Sequence, residues 1–197
     1  DENIYLVSTE NNNVITVDGT IVANLFVGET YKITMSSATT YISCSQPTYC
    51  YHLSGYGCET GGALLPPLNC AGSDQVNVVR STTEPFSLNI VCPSGAEGDF
   101  VMNGSTTLIQ ASDFAVVPNS GGAWMYAQIT YNTTDVPVGN NNLITNSTDP
   151  FSVALINGGA NNDYLIFMQS AGTVMNLFPG GTPTVDDVSA APDWKHV

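Results

Sequence analysis

Apolar and polar residues alternate one for one through "NIYLVST" (3–9), "NVITVDG" (13–19) and "TYKITMS" (30–36). In the last of these, Tyr31, Ile33 and Met35 point to one side and Thr30, Lys32 and Thr34 to the other, the two-residue period of a strand. The same reading predicts strands at 75–81, 86–92, 99–104, 113–119, 124–132, 151–158 and 163–170. In "TYCYHLSG" Tyr49, Tyr51 and Leu53 alternate with Cys50 and His52, which places His52 on a strand and on the face of Cys50. Asp18-Gly19 and Asn103-Gly104 are dipeptides that tolerate positive φ and so favour tight hairpins. No segment shows a helical period with caps. The prediction is an all-β protein of sandwich-like units.

The pattern also repeats. "VITVDGTIVANLFVGETYKI" resembles "DFVMNGSTTLIQASDFAVVP", and "TYISCSQPTYCYHLSG" resembles "NLITNSTDPFSVALING". The second copy carries an insertion of roughly twenty residues around "GGAWMYAQITYNTTDVPVG". Two related β units are therefore expected, 1–83 and 84–172, followed by 173–197. That last stretch is rich in Pro, Gly, Ala and Asp and reads as an extended tail or linker.

Composition narrows the function. Of 197 residues 43% are hydrophobic, enough for a real core. Seventeen acids face three basic residues (Lys32, Arg80 and Lys195), for a formal net charge of -14. Such a surface cannot neutralise a phosphate backbone and is repelled by anionic lipids, so neither nucleic acid nor membrane insertion is expected. No apolar run approaches the ~18–20 residues that span a bilayer. The start, Asp1-Glu2-Asn3, has no signal-peptide character, so the chain is expected to be mature or excised from something longer. Five cysteines, scarce lysine and abundant Asn, Thr and Ser point to an exported protein in oxidising surroundings. N-x-S/T sequons stand at Asn103, Asn132 and Asn146.

Candidate chemistry is thin. Cys44 and Cys50 flank a Gln46-Pro47 bend, and Cys58 and Cys70 close a Gly/Pro-rich loop, leaving Cys92 over. Bridges 44–50 and 58–70 are the leading assignment, although four cysteines allow three connectivities. Closing the eleven residues between Cys58 and Cys70 would remove roughly 3 kcal/mol of unfolded-state entropy. The rival is zinc on Cys58, Cys70 and His52, without the usual CxxC pairs. With His196 near the terminus as the only other histidine, a Ser-His-Asp or metal-His constellation has almost no material. No nucleophile elbow or phosphate-cradling glycine loop occurs. Acid pairs for glycoside hydrolysis would come from Glu59, Glu84, Glu97, Asp99 and Asp113, each of which also reads as a solvated turn acid. No cofactor is expected; calcium on Asp186-Asp187 or the Asn140–Asn142 run is the alternative, without EF-hand spacing. Lys32, a possible cross-linking lysine, reads as a plain surface residue. Finally, Trp124 and Tyr126 share a strand face with Gln128 and Thr130, opposite Met125, Ala127, Ile129 and Tyr131. That aromatic strip is a candidate for sugar stacking or a protein interface.

Three blocks resemble one known family. They are "IYLVSTENNNVITVDG…VGETYKI…YISCSQPTYCYHLSG", "GCETGGALLPPLNCAGS…VRS…EPFSLNIV" and "EGDFVMNG…FAVVP…LITNSTDPFSVALINGGA". Together they cover about 5 to 170. The chain resembles the IgGFc-binding-protein N-terminal-like domain, particularly the copies in large secreted surface proteins of Bacteroidetes linked to type IX secretion and gliding. The resemblance implies a non-enzymatic extracellular module for adhesion or surface association, and supplies no catalytic residue. Cys44, Cys50 and Cys92 are extra to the usual pair at Cys58 and Cys70, and "NDYLIFMQS" replaces a more aromatic strand. Expected partners are other copies of the chain, surface proteins or glycans. The rival functions are a carbohydrate-binding module using Trp124 and Tyr126, and a hydrolase with paired acids.

Overall fold

A computed structural model describes residues 2–56, 59–69, 71–158 and 165–170; of 54–56, 59–60 and 165–170 the backbone alone is described. The fold is all-β. Fifteen strands form four small antiparallel sheets, and a 3-10 turn at Ala111–Asp113 is the only helical element among the described residues.

The N-terminal half contains two of the sheets. One is built from β1 (Asn3–Ser8), β4 (Thr30–Thr34), β6 (Thr48–Tyr56) and β7 (Glu59–Leu64), in the order β4-β1-β6-β7. The other joins β2 (Asn13–Val17), β3 (Thr20–Leu25) and β5 (Ile42–Cys44), in the order β3-β2-β5. Ile4 and Leu6 of the first sheet meet Ile15 and Leu25 of the second in one buried cluster. Asn13, fully buried, ties the layers together. Its amide nitrogen donates to Ser8 Oγ at 2.9 Å and Thr48 Oγ1 at 2.7 Å, while its oxygen accepts from the Gln46 N–H.

The second half is a larger sandwich. β8 (Gln75–Val79), β10 (Phe100–Met102) and β13 (Asn141–Asn146) form one sheet, ordered β10-β13-β8. Opposed to it are β9 (Phe86–Pro93), β11 (Phe114–Val116), β12 (Trp124–Tyr131), β14 (Ser152–Gly158) and β15 (Leu165–Ser170), ordered β11-β12-β9-β14-β15. Strand β9 shows why these residues make a sheet. Phe86, Leu88, Ile90 and Cys92 are buried while Ser87, Asn89, Val91 and Pro93 face outward, so every second side chain serves the core. Each such apolar side chain contributes about 1.5–3 kcal/mol by leaving water. Phe100 anchors the core, edge-on to Phe151 at 5.0 Å and stacked on Phe114 at 5.3 Å. β15 lies against β7, where the two halves meet.

Both predicted hairpin dipeptides form. Asp18-Gly19 has φ of 48° and 81°, and Asn103-Gly104 has 55° and 79°. Two successive positive φ angles match the twist of the flanking strands. The expected strand windows coincide with β1, β2, β4, β8 to β12, β14 and β15. β8 precedes the expected division at residues 83/84, yet it pairs with β13 and places Val76 and Val78 in the second core.

One polar assembly holds the chain between β8 and β9. Arg80, 2% exposed, directs all its donors at backbone carbonyls. Nε donates to Thr82 O, Nη1 to Tyr131 O and Val136 O, and Nη2 to Thr83 O and Glu84 O, at 2.6–3.3 Å. The guanidinium also lies 5.9 Å from the centroid of the Phe86 ring. Asn157 grips the same turn from the other side. Its oxygen accepts the Ser81 and Thr82 N–H groups, and its nitrogen donates to Glu84 O and Pro85 O. Most backbone groups of residues 81–85 thereby gain a partner without a strand beside them.

Candidate binding surfaces

The pairing register arranges the outer face of the β4-β1-β6-β7 sheet into rows. Residues directly opposite in an antiparallel pair share a face. Tyr5 stands opposite Lys32 on one side and Tyr51 on the other, and Tyr51 stands opposite Leu64. The result is a row Lys32–Tyr5–Tyr51–Leu64 across all four strands. Beside it run Thr30–Val7–Tyr49 and Thr34–Asn3–Leu53–Gly62. Tyr49 and Tyr51 are 53% and 40% exposed, and Leu64 is exposed as well. Gly62 has a structural reason to be glycine. A Cβ there would collide with Tyr51 Oη and sit 2.7 Å from its Cζ, because the Tyr51 ring leans across β7 and rests on the bare backbone. Lys32 is an exposed member of this face, as its alternation predicts.

The outer face of the five-stranded sheet is the second candidate. Trp124 and Tyr126 lie there as expected, opposite Pro93 and Val91 of β9, with Gln128 and Thr130 continuing the row. Thr130 and Ser87 hydroxyls meet at 2.8 Å. Both aromatics are half-buried. On the other side, Met125 and Ile129 pack on the core and Tyr131 enters it, donating its hydroxyl to Leu108 O at 2.8 Å.

Open sheet edges are the third surface. Among the described residues β3 is hydrogen-bonded on one side only, to β2, with a bulge at Ile15/Thr16. Its sequence, TIVANL, carries no charge and no proline. Ile21 is 69% exposed, and Phe26 and Val27 just beyond it are exposed too. The other edges are guarded or short. β4 carries Lys32, β7 and β15 lie against each other, and β5, β10 and β11 have three residues each. β8 is held at its ends by bridges from Ser73 to Phe151 and from Arg80 to Val138.

The cysteines differ from expectation. Cys44 and Cys50 are free thiols, not a bridge. The Gln46-Pro47 bend does not fold the chain back on itself; it carries it from β5 in one sheet to β6 in the other. Cys44 pairs with Ile15 and Cys50 with Leu6, so both thiols face the same apolar layer from opposite sheets. Burial pushes the Cys50 thiol up to about 12, and the neighbouring Cys44 adds to it. Burial also raises Cys44, against a hydrogen bond with Thr48. Cys92 is buried in the second core, its thiol likewise pushed up to about 12, by burial first and then by Glu97 and Asp149. These are packed, poorly nucleophilic thiols. Cys58 and Cys70 lie outside the described residues, and with them the second bridge and the zinc rival.

The remaining candidates resolve into local structure. His52 is half-buried with Cys50 on the inner face, its Nε2 3.4 Å from Glu2 Oε2. Glu97 accepts the Gly95 N–H, Asp113 accepts the Gln110 N–H beside the 3-10 turn, and Asp99 accepts the Thr148 hydroxyl. Asn142, considered for calcium, is instead buried, donating to Val78 O and Asn140 O and accepting from Asn103. No group of three metal-ligating side chains occurs among the described residues. Asp186-Asp187, Lys195 and His196 lie outside them. Of the sequons, Asn146 is buried with its amide nitrogen donating to Ala96 O, and Asn103 donates to Asn142. Asn132 is exposed.

Compared as a whole, the chain matches no protein-family model, no curated protein and no solved structure.

Proposed function

We propose that this chain is a non-catalytic, secreted or cell-surface β module that acts by adhesion or self-assembly, with strand addition as the mode of association. The observation that carries the reading is β3, a six-residue edge strand without charge or proline, flanked by exposed Ile21, Phe26 and Val27. An unguarded edge offers main-chain donors and acceptors to an incoming strand, and main-chain pairing needs no charge complementarity. The family resemblance, the shortage of lysine and the five cysteines support an extracellular setting. The internal repeat belongs to the same proposal, supported by the shared backbone geometry of the Asp18-Gly19 and Asn103-Gly104 turns. So does the Cys58–Cys70 clamp, which non-reducing mass spectrometry of the exported protein tests.

Light scattering and electron microscopy at rising protein concentration test the association. Oligomers or filaments are expected, and Ile21→Lys, a charge placed on the edge, should return them to a folded monomer. A wild-type chain that stays monomeric at millimolar concentration removes the proposal.

A further inference from the structure

We infer that the outer face of the β4-β1-β6-β7 sheet is a binding platform for a neutral polysaccharide, with Tyr51 and Tyr49 as the stacking rings. Tyr51 is already laid down. The phenol end of its ring lies over Gly62, where any side chain would occupy its place, so the exposed ring is held against the sheet and meets a ligand at little further entropic cost. Tyr49 follows two residues along β6, roughly 7 Å away, and Tyr5 sits one strand over, about 5 Å away. The C–H groups on the apolar side of a pyranose ring carry slight positive charge and suit the negative face of a phenol. A flat strip with rings at this spacing meets successive sugar residues of an extended chain.

Charge selects among ligands. On the described part of this face Lys32 is the one charged group and no carboxylate appears, so an ionic partner finds almost nothing to pair with. An acidic polymer also meets a chain of formal net charge -14. A neutral polyhydroxyl ligand pays neither penalty, and Thr30, Thr34, Asn3 and the Lys32 ammonium surround the strip with hydrogen-bonding groups. The surface is distinct from the β3 edge, so binding here holds whether or not the chain assembles.

Affinity electrophoresis tests it, through native gels containing hydroxyethylcellulose, galactomannan or dextran, with alginate as the anionic comparison. Retardation is expected in at least one neutral gel. Tyr49→Ala and Tyr51→Ala should each weaken it about tenfold, Tyr51→Phe should keep it, and Trp124→Ala should run as the wild type. Should Tyr51→Ala fail to fold, the exposed Tyr49 and the Tyr51→Phe variant still decide the matter. Unchanged mobility in all three neutral gels overturns the proposal. So does retardation that Tyr49→Ala leaves intact, or retardation by alginate alone.

Discussion

Among the described residues four apolar side chains between β1 and β7 are buried together, with nine partly buried apolar neighbours packed against them; between β8 and β15 the buried cluster has sixteen members, three of them phenylalanines. The same alternating pattern produced both. What differs is how many strands close over each layer. In the larger half five strands oppose three, and the turn entering β9 is locked by Arg80 and Asn157. The smaller half relies on three short strands opposite four and on the single buried Asn13. The half with the thinner core displays the exposed tyrosines and the open edge. The larger core and two of the three candidate surfaces thus lie in different halves.

Removing the lock is the most severe test. Arg80→Ala leaves five backbone carbonyls short of their donor and should destabilise the larger half by about 4 kcal/mol or more, read as a lower urea midpoint. A cost under about 1 kcal/mol would mean that water replaces the guanidinium and that the turn is no anchor. Next in size, Leu6→Ala should cost about 3 kcal/mol and act on the smaller half alone.

Native thiols separate the halves without mutation. Cys50 packs half-buried against the smaller core and Cys92 lies buried in the larger, and each reacts faster with a maleimide once its core opens. In rising urea Cys50 should label before Cys92; coincident labelling would show that the two cores open as one unit. Alkali probes the same pair. The folded thiols keep their protons to about 12, whereas an unfolded cysteine loses its own near 9.0. Above pH 9 the unfolded chain therefore binds fewer protons than the folded one, so stability held below pH 9 falls between 9 and 12. A urea midpoint that is flat across that window would contradict this.

The mildest change is Gly62→Ala. Its Cβ meets the movable Tyr51 phenol and also His52 O at 2.8 Å, which belongs to the backbone, so a loss of about 1 kcal/mol is expected together with a more exposed Tyr51. Unaltered tyrosine fluorescence and stability would show that the ring does not rest there.

Strands with strict alternation were legible because burial on one face imposes a period of two. β7 and β13 were not. "ETGGAL" has glycines where side chains would show a period, and the first of its neighbours to give them meaning, Tyr51, lies across the sheet. "NNLITN" hides its inward residues, because Asn142 and Asn146 are buried by hydrogen bonds to Val78 O and Ala96 O and not by hydrophobicity. Trp124 and Tyr126 could be placed on the correct face from alternation alone. The facing of the more exposed Tyr49–Tyr51 strip is equally readable. Its significance comes from Tyr5 and Gly62, partners set by long-range register that spacing cannot reveal. The Cys44–Cys50 expectation failed for the same reason, since six residues of separation say nothing about a change of sheet.

The Arg80 clamp has one more consequence. A guanidinium usually finds its counterweight in carboxylates, and such pairs dissolve when acid protonates them. Here the counterweight is amide dipoles, which have no proton to gain. Among the described residues all the Arg80 partners are backbone carbonyls, and no carboxylate holds this cation. The central turn is thereby fastened by a joint with no proton to gain, and the larger half should keep the near-ultraviolet circular dichroism of its buried Tyr131 at pH 3 as it does at neutrality.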